Sequence, residues 1–208
     1  MQNKKPDNIV PENKEGSSTD TSFSKQCPSI EEAIATFEDT RSRLLNISEW
    51  HSYAGTGTAD FQLTDNQGNR VNRLAQEGDH FQINIPGPGS KTGEGFDWVQ
   101  IMQIEEQRDR NSIEYTAITV RPATNPNNKE PDTAHFFQEQ ATSTFMVVRN
   151  GLEITVEIHG RNETPNLNSK HFIDKLRNVA IAAGAMLRFS NKQWNSLAKG
   201  ILKLKTDE

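Results

Sequence analysis

The sequence predicts an α+β fold: an antiparallel sheet of about six strands gripped by a long C-terminal helix, with an N-terminal helix in front. Three observations carry this. From about Thr58 to Glu163 the chain falls into short runs that alternate apolar and polar with period two, the mark of half-buried strands. From Ser169 onward the apolar residues recur with a helical period instead. Between two apolar runs stands Asn150-Gly151, the strongest short hairpin cue, because both central residues of a type I′ turn need positive φ.

The first 27 residues have no sustained apolar pattern and are rich in Pro, Asn, Lys, Glu and Ser. Such a segment cannot bury enough surface to offset its ordering entropy. The expectation is a disordered tail over 1–27 and a single α+β domain over 28–208. Ser29-x-x-Glu32 forms a capping box directly after Pro28, and Ile30, Ile34, Phe37, Arg41, Leu44 and Leu45 then follow helical spacing to about Asn46. Trp50, His51 and Tyr53 fall in a connection that Gly55 and Gly57 break.

The strands follow in order. Asp65-Asn-Gln-Gly68 reads as a type I turn closed by a left-handed glycine. Phe81, Ile83 and Ile85 alternate against His80, Gln82 and Asn84. The run from Phe96 to Glu106 is a longer strand, and in the next one Ile113, Tyr115 and Ala117 share a face. Residues 121–132 hold three prolines and three asparagines and read as a loop; the longest extended run goes from about Ala134 to Arg149. Pairing Arg149 with Leu152 sets Val147 against Ile154, Phe145 against Val156 and Ser143 against Ile158, with the apolar members on one face. In the C-terminal segment Phe172, Leu176, Val179, Ala183, Met186 and Leu187 form a stripe that Trp194, Leu197, Ile201 and Leu204 continue, either as one long helix or as two abutting ones with a kink near Arg188–Ser190.

Composition excludes several functions. The formal charge is −5, and no Lys/Arg stripe is interleaved with aromatics, which argues against nucleic-acid binding. No run approaches the ~18 apolar residues of a membrane span, and the two N-terminal lysines precede no apolar signal core. With a single cysteine, Cys27, no internal disulfide forms, and the sequons at Asn46 and Asn162 mean little without a secretion signal. The expected setting is the cytoplasm of a bacterium. The stretch PGPGSKTGEG (86–95) resembles a phosphate loop, but Ile85 stands where the first glycine belongs, Ser90 precedes the lysine, and a strand follows rather than a helix. It reads as a long glycine-rich connection. The histidines at 51, 80, 135, 159 and 171 show no metal spacing, so neither a metal nor a cofactor is expected. Glu31-Glu32 and Glu105-Glu106 are adjacent pairs whose side chains point apart, as surface charge does.

A sheet followed by a long amphipathic helix resembles the helix-grip fold of the START/Bet v 1-like superfamily. The strand series 58–163, the Asn150-Gly151 hairpin and the stripe from Phe172 to Leu204 carry the resemblance. Members of that superfamily begin with a strand and two short helices, whereas here a capped helix comes first and only residues 21–23 offer a rudimentary strand. The resemblance implies a cavity for a lipid-like, polyketide-like or other apolar small molecule, gripped by the last helix. Trp98, Tyr115, Phe137, Phe145 and Met186 are the candidate liners, with His135, His159 and Arg161 as polar groups. The segment HGRNE (159–163) is unusually polar for a strand end, which sets Arg161 and Glu163 either at a pocket mouth or in solvent. Two other readings stand beside binding: a cyclase- or hydrolase-like enzyme pairing His135 with a carboxylate, and an interaction module acting through the glycine-rich loop or the tail.

Overall fold

The computed structural model describes residues 9–84, 95–109, 113–128, 135–166 and 191–204. Seven strands form one antiparallel sheet: β1 (Ser17–Gln26), β2 (Asp60–Thr64), β3 (His80–Asn84), β4 (Asp97–Gln107), β5 (Glu114–Pro122), β6 (Thr142–Asn150) and β7 (Glu153–Glu163). Their spatial order is β1-β7-β6-β5-β4-β3-β2, so β1 and β2 are the open edges. Helix α1 (Ile30–Leu45) follows β1, a single 3-10 turn (Ile47–Glu49) leads into α2 (Trp50–Ala54), and residues 191–201 form a helix, α3. No helix among the described residues is long and apolar enough to cross a membrane.

The N-terminal expectation changes for part of its length. Ser17–Gln26 is not tail but β1, paired with β7 along its whole length. The segment is polar because it is an edge strand: along it exposed and partly buried residues alternate, with Thr21 buried. Polar edge strands resist unwanted pairing, and a hydropathy reading cannot distinguish them from disorder. With β1 in place the chain begins strand, helix, helix, so the departure from helix-grip element order is removed.

Helix α1 starts where the capping residue requires, with Ser29 Oγ accepting the Glu32 N–H at 3.2 Å. Its buried face is Ala33, Phe37, Thr40, Arg43, Leu44 and Leu45. The stripe is rotated from the expected one, and Ile30 stays 44% exposed. The Asp65–Gly68 turn forms as read: Gly68 has φ 83° and Asp65 Oδ1 accepts the N–H groups of Gln67 and Asn69. Strand β6 begins at Thr142, later than expected, because residues 135–138 lie against 164–166, with Gln138 N donating to Thr164 O and Asn166 N to Phe136 O.

The central hairpin sits where Asn150-Gly151 puts it, but its register is two residues over. Asn150 pairs with Glu153 and Arg149 with Ile154, so the turn is Gly151-Leu152. Gly151 has φ 61° while Asn150 and Leu152 keep negative φ, the pattern of a type II′ turn with glycine first. A shift of two preserves the faces. Phe145, Val147, Ile154, Val156 and Ile158 all enter the core.

That core fills the face covered by the helices. Trp50 is 0% exposed, donates Nε1–H to Leu44 O at 3.1 Å, and meets the rings of Phe145 (4.7 Å between centroids), Phe61 (5.3 Å) and Phe81 (5.8 Å). Helix α3 reaches both sheet edges. Asn195 Oδ1 accepts from Thr21 Oγ1 of β1, and Gln193 Oε1 accepts from Ala59 N, just ahead of β2. The sheet therefore curves around α3. Arg43 of α1 donates to Ile201 O at the end of α3, which holds the two helices together. The stripe from Phe172 to Leu187, including Met186, and the stretch Arg188–Ser190 that would decide between one helix and two lie outside the described residues, as does nearly all of the glycine-rich stretch 86–95.

Gly200 shows how closely α3 is docked, since a Cβ there would sit 1.9 Å from Tyr53 O. Backbone on both sides leaves no flexible group to yield. Gly200→Ala is expected to cost about 1–3 kcal/mol by overpacking, more than its gain in helix propensity, and urea denaturation followed by circular dichroism measures it.

Candidate functional site

A cavity of about 40 Å³ opens between the inner face of the sheet and α3. At ~10–15 Å³ for each water this is room for roughly three waters. Phe61 of β2, Phe81 and Ile83 of β3, Val99 of β4, Val120 of β5 and Phe145 of β6 form the sheet wall, and Gln193 and Trp194 form the helix wall. Trp194 packs edge-on against Phe145 at 5.2 Å and tilted against Phe61 at 6.5 Å. His135, Phe136 and Phe137 close one end, and Ser143 and Glu163 add polar atoms.

Of the residues that the sequence singles out, the structure brings His135, Phe137 and Phe145 to this cavity. Trp98 and Tyr115 are buried, but on the opposite face. Trp98 neighbours Val99, which points inward, and Tyr115 packs with Ile113, Ala117, Met146 and Val148 in a second cluster. His159 and Arg161 are also outside. His159 Nδ1 lies 2.5 Å from Asp20 Oδ1 and Nε2 lies 2.8 Å from Glu157 Oε2. Arg161 donates to Asp20 Oδ1 and to the carbonyls of Thr19 and Gly160. These groups fasten edge strand β1 to β7 rather than line the cavity. Met186 lies outside the described residues.

Strict alternation would put Glu163 on that outer face with His159 and Arg161. A bulge prevents it. Ser17 pairs with Glu163 and Thr19 with Gly160, so Arg161 and Asn162 stand opposite Ser18 alone. Asn162 takes φ 55°, a left-handed conformation that asparagine tolerates, and is fixed there by bonds to Asn13 Oδ1 and from the N–H groups of Lys14 and Glu15. The next side chain turns inward. Its carboxyl fits because residue 160 is glycine: a Cβ there would lie 2.2 Å from Glu163 Oε1 and 2.4 Å from Thr19 Oγ1.

The polar atoms inside are unequally satisfied. Glu163 is 3% exposed, and its Oε1 accepts from Thr19 Oγ1 at 3.2 Å, while Oε2 has no partner among the described residues. Burial pushes this carboxyl up to about 7, against the opposing bond from Thr19 and the positive charge of Arg161. Gln193, also 3% exposed, spends Oε1 on the Ala59 N–H at 2.7 Å, and its Nε2 has no partner among the described residues. His135 Nδ1 accepts the Phe137 N–H at 3.0 Å, and burial pushes the imidazole down to about 3, which keeps it neutral. No carboxylate contacts His135 among the described residues, so the anticipated His/carboxylate pair is not assembled there.

Comparison with known proteins leaves the chain without a named family. No family model matches it, and no curated protein matches it. Solved structures resemble it at low identity. A hypothetical protein from Helicobacter pylori aligns over 94% of this chain and 93% of its own, with 11% identity and a TM-score of 0.48. Norcoclaurine synthase from Thalictrum flavum, in complex with dopamine and hydroxybenzaldehyde, aligns over 92% and 90%, with 7% identity and a TM-score of 0.37. Ginseng major latex-like protein 151 from Panax ginseng aligns over 90% and 97%, with 11% identity and a TM-score of 0.37. Likeness at this level carries no inference about ligand or reaction.

The raised carboxyl makes a pH prediction. A group with its folded value above the unfolded one contributes stability that is complete below the unfolded value and lost as pH rises through the folded value. For Glu163 that window runs from its ordinary 4.5 to about 7. Glu163→Gln should therefore gain stability over the wild type across this window, on the order of 1–3 kcal/mol by pH 8. Asp97, which burial also pushes up to about 7, contributes equally to both proteins and cancels. Paired urea denaturation curves at pH 4.5, 6 and 8 measure the difference.

Proposed function

We propose that the protein binds a small, largely apolar molecule in the cavity between the sheet and α3. The observation that supports this is the cavity itself: a void walled by Phe61, Phe81, Phe137, Phe145 and Trp194, lined also by side chains with buried polar atoms that have no partner among the described residues. Apolar walls with a few polar groups are what small-ligand sites use. A void in a core loses packing contacts, and unpaired polar atoms add a desolvation cost. An occupant relieves both. The volume favours a small occupant over the larger lipid- or polyketide-like molecules considered from the sequence. The helix-grip reading belongs to the same proposal, because α3 spans both edges of a curved sheet.

Val120→Phe places a ring in the void and tests this directly. Native mass spectrometry of freshly purified protein is expected to show a bound small molecule, or benzene to raise the melting temperature; in Val120→Phe both effects should fall at least about tenfold in affinity while the protein stays folded. A wild-type protein with neither a bound molecule nor a benzene response contradicts the reading.

A further inference from the structure

We propose that residues 9–16 are a latch on the cavity: docked on the outer face of the sheet they hold one cavity end shut, and released they let that end open for a ligand to enter. The entry role rests on the ligand-binding reading above; the latch contacts do not.

The segment has two anchor points. Ile9 is 3% exposed and sits, with Val10 beside it, in the outer-face cluster of Tyr115, Met146 and Val148. Further along, the chain bonds to Asn162. The Asn162 N–H donates to Asn13 Oδ1 at 2.7 Å, Asn162 Oδ1 accepts the N–H groups of Lys14 (2.7 Å) and Glu15 (3.2 Å), and Asn162 Nδ2 donates to Glu12 O. Gly16 then lies flat against the next residue, since a Cβ there would be 2.9 Å from Glu163 C and O. Of residues 9–16 only Ile9 is buried, and the bonds to Asn162 are all exposed. One side chain and exposed bonds must therefore offset the ordering entropy of the whole segment. Segments held this weakly open locally, without the sheet unfolding.

The second anchor adjoins the cavity end. Asn162 has φ 55°, and its O accepts the Thr164 N–H at 2.8 Å. Thr164 O accepts from Gln138 N, Asn166 N donates to Phe136 O, Asn166 Nδ2 donates to His135 O, and Phe137 pairs with Pro165. Residues 164–166 are thus the frame that carries His135, Phe136 and Phe137, and these three close one end of the cavity. When the latch lifts, the left-handed backbone of Asn162 loses the bonds that hold it, and asparagine adopts that conformation only at a cost. The frame then relaxes, and the cavity end relaxes with it. Ile9 does not line the cavity, so it acts there through this chain of contacts.

Amide hydrogen exchange of the full chain, read by NMR, tests the latch without a ligand. In Ile9→Ser the amides of Lys14 and Glu15, and with them those of Gln138, Thr164 and Asn166, are expected to exchange at least about tenfold faster, while those of β3 keep their rates. Asn13→Ala removes the acceptor for the Asn162 N–H without baring the outer cluster, and should give the same pattern at Gln138, Thr164 and Asn166. Ile9→Val should stay near the wild type. For entry, the association and dissociation rates of benzene, also measured by NMR, should both rise in Ile9→Ser while Kd changes less than about threefold. If Gln138, Thr164 and Asn166 keep wild-type exchange in both variants, the latch is overturned and the ligand reading stands. Unchanged exchange of Lys14 and Glu15 in Ile9→Ser also overturns it, because the segment then stays docked without its buried anchor. A rise that extends to β3 marks general loosening and overturns it as well, and faster exchange with unchanged benzene rates overturns the entry role. A wild-type protein that takes up no benzene counts against the ligand reading, and amide exchange still decides the latch.

Discussion

Trp50 is the contact on which the helical layer depends. It leaves the short α2, is completely buried, and touches the rings of Phe61, Phe81 and Phe145 on three different strands. Its one polar atom is satisfied by Leu44 O at the end of α1. Aromatic pairs of this kind add ~0.5–1.5 kcal/mol each beyond the area that they bury. The indole therefore sets how far α1 and α2 stand from the sheet. Trp194 of α3 then packs on the same Phe145 and Phe61, so α3 reaches the sheet through rings that Trp50 already holds. Where these rings splay toward β4 and β5, a void remains.

Two glutamates on the inner face show what that void means. Glu114 is 3% exposed as a side chain and lies 2.7 Å from an equally buried Arg149, which also donates to Gly151 O. Such a pair is structural: it neutralises the carboxylate and anchors the end of the central hairpin. Glu163 is as deeply buried, yet among the described residues only Thr19 donates to it, and its Oε2 is buried there without a partner. Most buried polar groups in native proteins are paired, so an unpaired one calls for an explanation. Here the bulge at Asn162 and the missing Cβ at Gly160 both act to put that oxygen there. Neither feature improves the core.

Much of this architecture was legible in the sequence, and the misses have physical causes. Asn150-Gly151 located the central hairpin because glycine is needed wherever φ is positive, but a type II′ turn uses the dipeptide differently from a type I′ turn, hence the two-residue shift. The capping box marks Ser29, and period-two alternation marks the amphipathic strands β3, β5 and β7. Strand β1 was not, because an edge strand that buries little carries no apolar signal. Trp50 reads as part of a connection, since five residues of helix are too short to show a period. Within the site, alternation found Phe145, and local composition drew attention to HGRNE. Period-two counting puts residue 163 on the outer face with His159 and Arg161, whereas one left-handed asparagine reverses the face for every residue after it. Trp98 and Tyr115 were misplaced for a related reason: both faces of this sheet are buried in places, so an aromatic residue in a strand does not say which side it fills.

The account stands on α3 closing over a curved sheet with space left beneath it. A crystal pressurised with xenon measures this directly, because xenon enters dry apolar voids and is located by its electron density. The account predicts a xenon atom among the side chains of Phe61, Phe81, Val99, Val120 and Phe145 beneath α3, with Gln193 still bonded to Ala59. A core in which side chains fill that position, or an α3 docked away from Phe61 and Phe145, would contradict it.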